Sequence, residues 1–278
     1  DEDILGLVQP EPTESNAVEL LADESTPWGA TGIQAKWRAE ATQMTPSKLA
    51  TQARQVRLHE LYAFALATEE LLADAPRLNA RLTTGAARAI QWKSAEAIIY
   101  GTGAGQPLGW TVGGSIISVA KEGTQGATTF LAKNALKMYA RLLRTPGGRP
   151  VWFMNSDLVP QLVDLKIGNE PSWVTQSQGL QNAPSGSLLG MPIRFTEQCQ
   201  TLGAKFDIFL ADLAGYYAAI KSGEGVQFAT SMHLYFDFNL SAFRWTFRLG
   251  GQPYLTAPVD PAHGANTKSH FVTLDARS

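Results

Sequence analysis

From about Pro76 to Tyr100 the chain reads as one helix of about 25 residues, about 37 Å long, and no set of residues able to do chemistry sits on it or beside it. Leu78, Leu82, Ala86, Ala89, Ile90, Lys93, Ala97 and Ile98 recur three and four apart, which gathers them on one stripe. An acidic turn, Thr68-Glu69-Glu70-Leu71-Leu72-Ala73-Asp74-Ala75-Pro76, leads into it. Proline is well tolerated in a first helical turn, and Gly101-Thr102-Gly103-Ala104-Gly105 supplies the stop. A long, chemically silent helix in a chain without a convincing active site points to a structural protein.

The chain on either side mixes strands and helices without regular βαβ alternation. That pattern predicts an α+β fold with two lobes. Residues 1–29 carry Pro10, Pro12, Pro27 and several carboxylates without sustained periodicity, as expected of an extended arm ordered only against neighbours. From Ile33 the alternation is strict: Ile33, Ala35, Trp37, Ala39 and Ala41 share one face and Gln34, Lys36, Arg38, Glu40 and Thr42 the other. A half-buried strand is the expectation, turned by Met44-Thr45-Pro46-Ser47 and returning to about Leu58. Such a hairpin reaches on the order of 35 Å, and an isolated two-stranded arm is marginal in water, so it is expected to lie across a partner.

Further along, Phe130 to Leu143 predicts a second helix broken by Pro146-Gly147-Gly148. Val151 to Met154 is wholly apolar, as in a sheet covered on both faces. Asp157 is the expected cap of a short helix with Pro160 in its first turn. Residues 168–188 predict a long loop, Leu188 to Ile193 a return to regular structure, and Asp207 to Leu213 another buried strand. Phe243, Trp245, Phe247 and Leu249 alternate with Ala242, Arg244, Thr246 and Arg248 in an amphipathic strand. Val259 to Lys268 predicts a surface loop, followed by a last strand from His270 to Leu274.

The search for chemistry returns little. In Gly101-Thr102-Gly103-Ala104-Gly105 a glycine at the sixth position would be needed for a dinucleotide fingerprint, and Gln106 stands there, after a helix instead of a strand. His59, His233, His263 and His270 have no metal-ligand spacing to one another or to Cys199. Glu69, Glu70 and Asp74 at a helix mouth read as dipole partners, and Asn239-Leu240-Ser241, a sequon by pattern, falls in a predicted strand. No catalytic, cofactor-binding or metal residue is assigned, and no cofactor is expected. The single cysteine excludes an intramolecular disulfide and reads as a small apolar filler made in a reducing compartment. No Lys/Arg cluster of the kind that neutralises phosphates is present, and no run of 18 apolar residues predicts a membrane span. Charged residues are only 17% of the chain, which suits large permanent contacts, where Lys, Glu and Asp are depleted.

The acidic turn, the long helix and its glycine stop, with Trp37-Arg38-Ala39-Glu40 upstream and Val151-Trp152-Phe153-Met154-Asn155 downstream, resemble the major capsid proteins of tailed bacteriophages, the HK97-like fold. The resemblance covers nearly the whole chain in order. It implies an N-terminal arm over 1–29, an extended loop over 30–62, a peripheral domain over 63–149 and 236–278 holding the spine helix, and an axial domain over 150–235. It implies a non-enzymatic head protein that assembles with itself into hexamers and pentamers of an icosahedral shell. The inter-capsomer contacts would run through arm and loop, alongside a portal protein and in some members a decoration or cement protein. Double-stranded DNA is then a partner by enclosure alone, and the location is the virion, after assembly in the host cytoplasm. The absence of an initiator Met fits a mature, N-terminally processed form. Some members of the family cross-link a Lys on the loop to an Asn on a neighbour with a Glu assisting. The matching positions here hold Ala53, Asn239 and Thr246, and Lys48 fits only with a register shift, so no covalent cross-link is expected. Two other readings were weighed: an encapsulin-type shell of the same fold, whose chains typically begin with a helix, and a carbohydrate-active enzyme using Trp28, Trp37, Trp92, Trp110, Trp152, Trp173 and Trp245, which are dispersed and read as packing.

Overall fold

The computed structural model describes residues 4–40, 42–70, 78–145, 147–167, 170–171, 186–223, 225–233 and 235–277. In chain order they form α1 (Ile4–Val8), β1 (Glu11–Thr13), β2 (Ala17–Asp23), β3 (Thr51–Arg57), β4 (His59–Thr68), α2 (Leu78–Tyr100), β5 (Ile117–Val119) and α3 (Ala132–Arg141). There follow β6 (Pro150–Met154), α4 (Val159–Val163), β7 (Lys166–Ile167), β8 (Glu170–Pro171), β9 (Ser187–Leu188), β10 (Met191–Phe195), β11 (Ile208–Asp212), β12 (Tyr216–Lys221), β13 (Gln227–Ser231), β14 (Leu240–Pro253) and β15 (Phe271–Leu274).

Two larger sheets organise these elements. In the five-stranded sheet β14 is the spine: β4 runs antiparallel along one edge from Thr68↔Leu240 to His59↔Leu249, while β12 and β13 share the other. The six-stranded sheet has the order β5-β15-β11-β6-β10-β9. Its central strands are apolar on both faces for a reason the pleat makes plain. Successive side chains point to opposite sides, so Val151, Phe153, Phe209, Ala211 and Phe271 enter the core shared with α2 and β14, where Trp110 stacks on Phe271. Trp152, Met154, Ile208, Leu210, Val272 and Leu274 enter a second core under α3 and α4.

Sheet membership cuts across the boundaries drawn along the sequence. Residues 117–119 and 271–274 pair in the same sheet as 150–154, and 216–221 and 227–231 pair with β14.

α2 ends where the glycine run begins, and its last turn is closed by the Gly101 amide donating to the Ala97 carbonyl at 2.9 Å. A Cβ at Gly101 would lie 2.1 Å from the Pro107 carbonyl oxygen and 2.3 Å from that of Ala97, so only glycine lets the chain fold back there. The buried stripe is Ala86, Ile90, Ser94, Ala95, Ile98 and Ile99; Ala89 and Lys93, expected on it, are exposed. Ser94 takes the place expected of Lys93 because its hydroxyl is satisfied within the helix by the Gln91 carbonyl, whereas Lys93 reaches out to Glu96 at 2.5 Å. The remainder of the acidic turn, residues 71–77, lies outside the described residues, as does most of the expected 168–188 loop together with Trp173.

Three expectations need correction. Much of the N-terminal segment is ordered on its own chain: Ile4 and Val8, one helical turn apart, are buried in the main core, and β1 pairs in parallel with β12. Pro12 is compatible with this because β1 is an edge strand. The paired ribbon joins β2 to β3, in register from Ala17↔Arg57 to Asp23↔Thr51, and residues 33–40 and 42–50 contain no strand. Alternation without a neighbouring edge to bond is not sufficient for a strand. Finally, the cap before α4 is Asn155, whose side-chain oxygen accepts from the Asp157 amide at 2.9 Å; a 3-10 turn over Ser156–Leu158 precedes α4, which carries Pro160 near its start.

Candidate functional site

The segment between β2 and β3, residues 24–50, exposes Trp28, Ile33, Trp37, Met44 and Leu49 to solvent. Ile33 is 66% exposed and Trp37 fully exposed, and Met44 and Leu49 face solvent with them. Internal bonds among its described residues include the Gln34 amide to the Ser47 hydroxyl at 3.2 Å, the Gln34 side-chain amide to the Gly29 carbonyl, the Thr42 hydroxyl to the Ala39 carbonyl at 2.8 Å and the Arg38 guanidinium to the Thr42 carbonyl at 3.4 Å. An indole left wholly in water has no stabilising role within the subunit. A second apolar row lies on β4, where Tyr62, Phe64 and Leu66 alternate outward at 68%, 48% and 43% exposure; the intervening Leu61, Ala63 and Ala65 pack inward toward α2.

At its root the segment is bonded to the body. The Glu24 carboxylate accepts from Arg54 at 2.5 Å, from the Thr256 amide at 2.9 Å and from the Thr256 hydroxyl at 2.7 Å. The same Arg54 nitrogen donates to the Tyr254 carbonyl at 2.6 Å, and the Trp28 indole donates to the Asp260 carbonyl at 2.9 Å. The loop after β14 is closed in turn by a Val259↔Lys268 bridge and by Arg141, which donates to the Thr267 carbonyl at 2.6 Å and to its hydroxyl at 2.8 Å.

The ionisable groups buried in the body are structural. Arg277 and Asp207, both fully buried, pair through two guanidinium nitrogens and tie the C-terminus to the turn before β11. Burial raises the Asp207 carboxyl pKa against the opposing pull of Arg277 and the Gly203 amide. Asp212 is also pushed up by burial, but the His270 ring at 3.8 Å and the Ala214 and Arg149 amides outweigh this and leave it below the usual carboxylate value. The two amides donate to Oδ1, while Oδ2, the oxygen facing His270, accepts from the Thr145 hydroxyl at 3.2 Å. These pairs join residues 70 and 58 apart in sequence, and no local motif announces them. Cys199 is buried, and that burial pushes its thiol up, consistent with a packing role.

The candidate positions named from the sequence do not converge on a reaction centre. Ala53 is exposed on β3 and Lys48 lies in the strandless segment. Asn239 takes a left-handed conformation at φ 52° just before β14, its carbonyl accepting from the Glu69 amide at 3.1 Å. Thr246 sits mid-strand opposite Tyr62 and Gln227. Among the described residues no group of three or more His, Cys, Asp or Glu is placed to hold a metal ion, and no helix is long and apolar enough to cross a membrane. Trp110, Trp152 and Trp245 are buried core residues, whereas Trp28 and Trp37 are exposed and far apart in role: one is hydrogen-bonded at the root, the other free in water.

Solved structures with the same architecture include capsids. The capsid of a native GTA particle computed with C5 symmetry superposes with a TM-score of 0.77 at 18% identity, covering 100% of this chain and 90% of that one. A chain from Microbacterium phage Oxtober96 matches with a TM-score of 0.69 at 14% identity over 98% and 90% of the two chains. One from Mycobacterium phage Adephagia matches at 0.64 and 19% identity over 98% and 89%. No curated protein sequence matches significantly. At these identities the superpositions establish the α+β architecture as the HK97-like capsid fold. The model of the phage capsid family matches residues 1–263, nearly the full length, and the chain therefore belongs to that family.

Proposed function

We propose that this major capsid protein, a non-enzymatic component of the virion, builds hexamers and pentamers of an icosahedral shell through the 24–50 segment and the outward face of its five-stranded sheet. The observation that carries the reading is the fully exposed Trp37, with Ile33 four residues before it also exposed, on a segment none of whose described residues belongs to a hydrophobic core cluster. Seating these residues on a neighbouring copy removes apolar area from water at roughly 25 cal/mol per Å², and permanent shells bury roughly 2,000–5,000 Å² per interface. In this reading 1–29 is the arm, 30–62 the extended loop, 63–149 with 236–278 the peripheral domain and 150–235 the axial domain, with arm and loop joined by the 17–23/51–57 ribbon and strands 117–119, 216–221, 227–231 and 271–274 exchanged between the two domains' sheets. The shell encloses double-stranded DNA without reading its sequence and carries a portal protein.

No covalent weld forms in this reading. Ala53 offers a methyl group where an amine is needed, Thr246 offers no carboxylate beside Asn239, and each of these is required for amide exchange. Electron microscopy of the purified, expressed chain tests the assembly: closed shells or rings of five and six are expected, and uniform monomers would sink it. A denaturing gel of those shells is expected to show a single subunit band, and a ladder would overturn the absence of cross-linking.

A further inference from the structure

The loop following β14 is the part of the chain to which neither the sequence nor the family assigned a role, and it is also where the extended segment is anchored. We infer that residues 254–268 act as an intramolecular brace that sets the direction in which the 24–50 segment leaves the subunit, with Glu24 as the connecting group. Four observations combine. Glu24 receives three donors from two elements, the Arg54 guanidinium and the Thr256 amide and hydroxyl, at 2.5, 2.9 and 2.7 Å. Arg54 joins the same loop again through the Tyr254 carbonyl, so one guanidinium nitrogen serves both sides of the joint. The Trp28 indole, four residues beyond Glu24, holds the Asp260 carbonyl, which gives the joint a second point and opposes rotation about the first. The Val259↔Lys268 bridge closes the brace on itself, and its far side is pinned to α3 by Arg141 on Thr267 and by the Ser269 amide on the Arg141 carbonyl at 3.1 Å, so the load passes into a packed helix.

Two separated attachment points define an orientation, and one does not. Charge-assisted bonds to a part-buried carboxylate are stronger and shorter than neutral ones, and the Glu24–Arg54 side chains are only 27% and 18% exposed. Among the described residues beyond Gly32 the hydrogen bonds given to the segment are to itself, so its direction is inherited from the root. The inference rests on the proposed reading of the segment as the reaching element. Subunits that must meet neighbours at a fixed angle need such a joint to be stiff, since disorder at the root would charge each contact the entropy of ordering the loop.

The test uses the full chain with Cys199→Ala, spin labels on Lys48→Cys and His263→Cys, and excess unlabelled subunit so that only distances within one subunit are read. One narrow distance distribution is expected for the parent and a broad, displaced one for Glu24→Ala, while Glu24→Gln, which keeps an acceptor for Thr256, is intermediate. Hydrogen exchange supplies the second readout. The Thr256 amide is expected to exchange about tenfold faster in Glu24→Ala, as loss of one charge-assisted bond implies, with amides of β6 and β11 unchanged. An unaltered distance distribution in Glu24→Ala would overturn the brace, and so would uniformly faster exchange across the six-stranded sheet, which would make Glu24 a general stability residue. Thr256→Val, which removes one hydroxyl, repeats the comparison should Glu24→Ala fail to fold. Failure of the parent to form shells would count against the assembly reading alone, because the distance measurement needs no shell.

Discussion

The six-stranded sheet and the 24–50 segment are written in similar sequence and end in opposite environments. Val151-Trp152-Phe153-Met154 places alternate residues in two different cores, and both faces are closed by packed neighbours. Ile33-Gln34-Ala35-Lys36-Trp37 also alternates, yet it forms no strand and leaves its indole in water. The difference is the presence of a partner. β6 has β11 and β10 on its two edges, whereas the described 33–40 stretch has no strand on either side. Apolar pattern states what must be buried, and it leaves open whether the burying surface belongs to the same chain.

Substitutions on the two sides of this comparison should separate cleanly. The largest loss is expected from Arg277→Ala, which strands the fully buried Asp207 carboxylate and should cost about 3–5 kcal/mol in denaturant unfolding; a loss below 1 kcal/mol would mean that water reaches the site. Trp110→Ala removes the ring stacked on Phe271 at 5.3 Å and is expected to cost about 3–5 kcal/mol, read by the same titration. Gly101→Ala should follow at about 1–3 kcal/mol, because a methyl there meets two carbonyl oxygens at the end of α2. Asp212→Asn is expected to cost about 1–2 kcal/mol at neutral pH and nothing at low pH. The sign follows from its depressed pKa: the stabilisation is complete above the ordinary carboxylate value near 4 and is lost as pH falls through the lower folded value. A pH-independent effect would remove the carboxylate from the explanation. Trp37→Ala should change subunit stability by less than about 0.5 kcal/mol while reducing the yield of closed shells in electron micrographs. An equal loss of stability would return Trp37 to the subunit core.

How far the sequence could be read depended on whether the deciding contact was local. The end of α2 was legible because Gly101 and the glycines after it act within a few residues, and the strand at 150–154 was legible because a continuous apolar run has few other homes. Ser94 in the buried stripe was missed because its satisfaction comes from its own helix, which composition scales do not register. The N-terminal helix was missed because Ile4 and Val8 are one turn of hydrophobic signal, too short to stand out without the core that receives them. The Arg277–Asp207 and His270–Asp212 pairs and the Glu24 joint were invisible, since their partners lie 30 to 232 residues apart.

By itself the sequence determined the class of molecule: a long helix with a glycine stop and apolar strands without βαβ order. Those properties are carried by local periodicity and by residue types whose backbone limits act at short range. Only the tertiary structure decided which edge each strand bonds, that the ribbon pairs 17–23 with 51–57, that Ile4 and Val8 pack on their own chain's core, and that the loop after β14 holds the root of the 24–50 segment. Strand pairing and buried ion pairs are choices among distant partners of nearly equal local merit, and the free energy that selects among them appears only when the whole chain is packed.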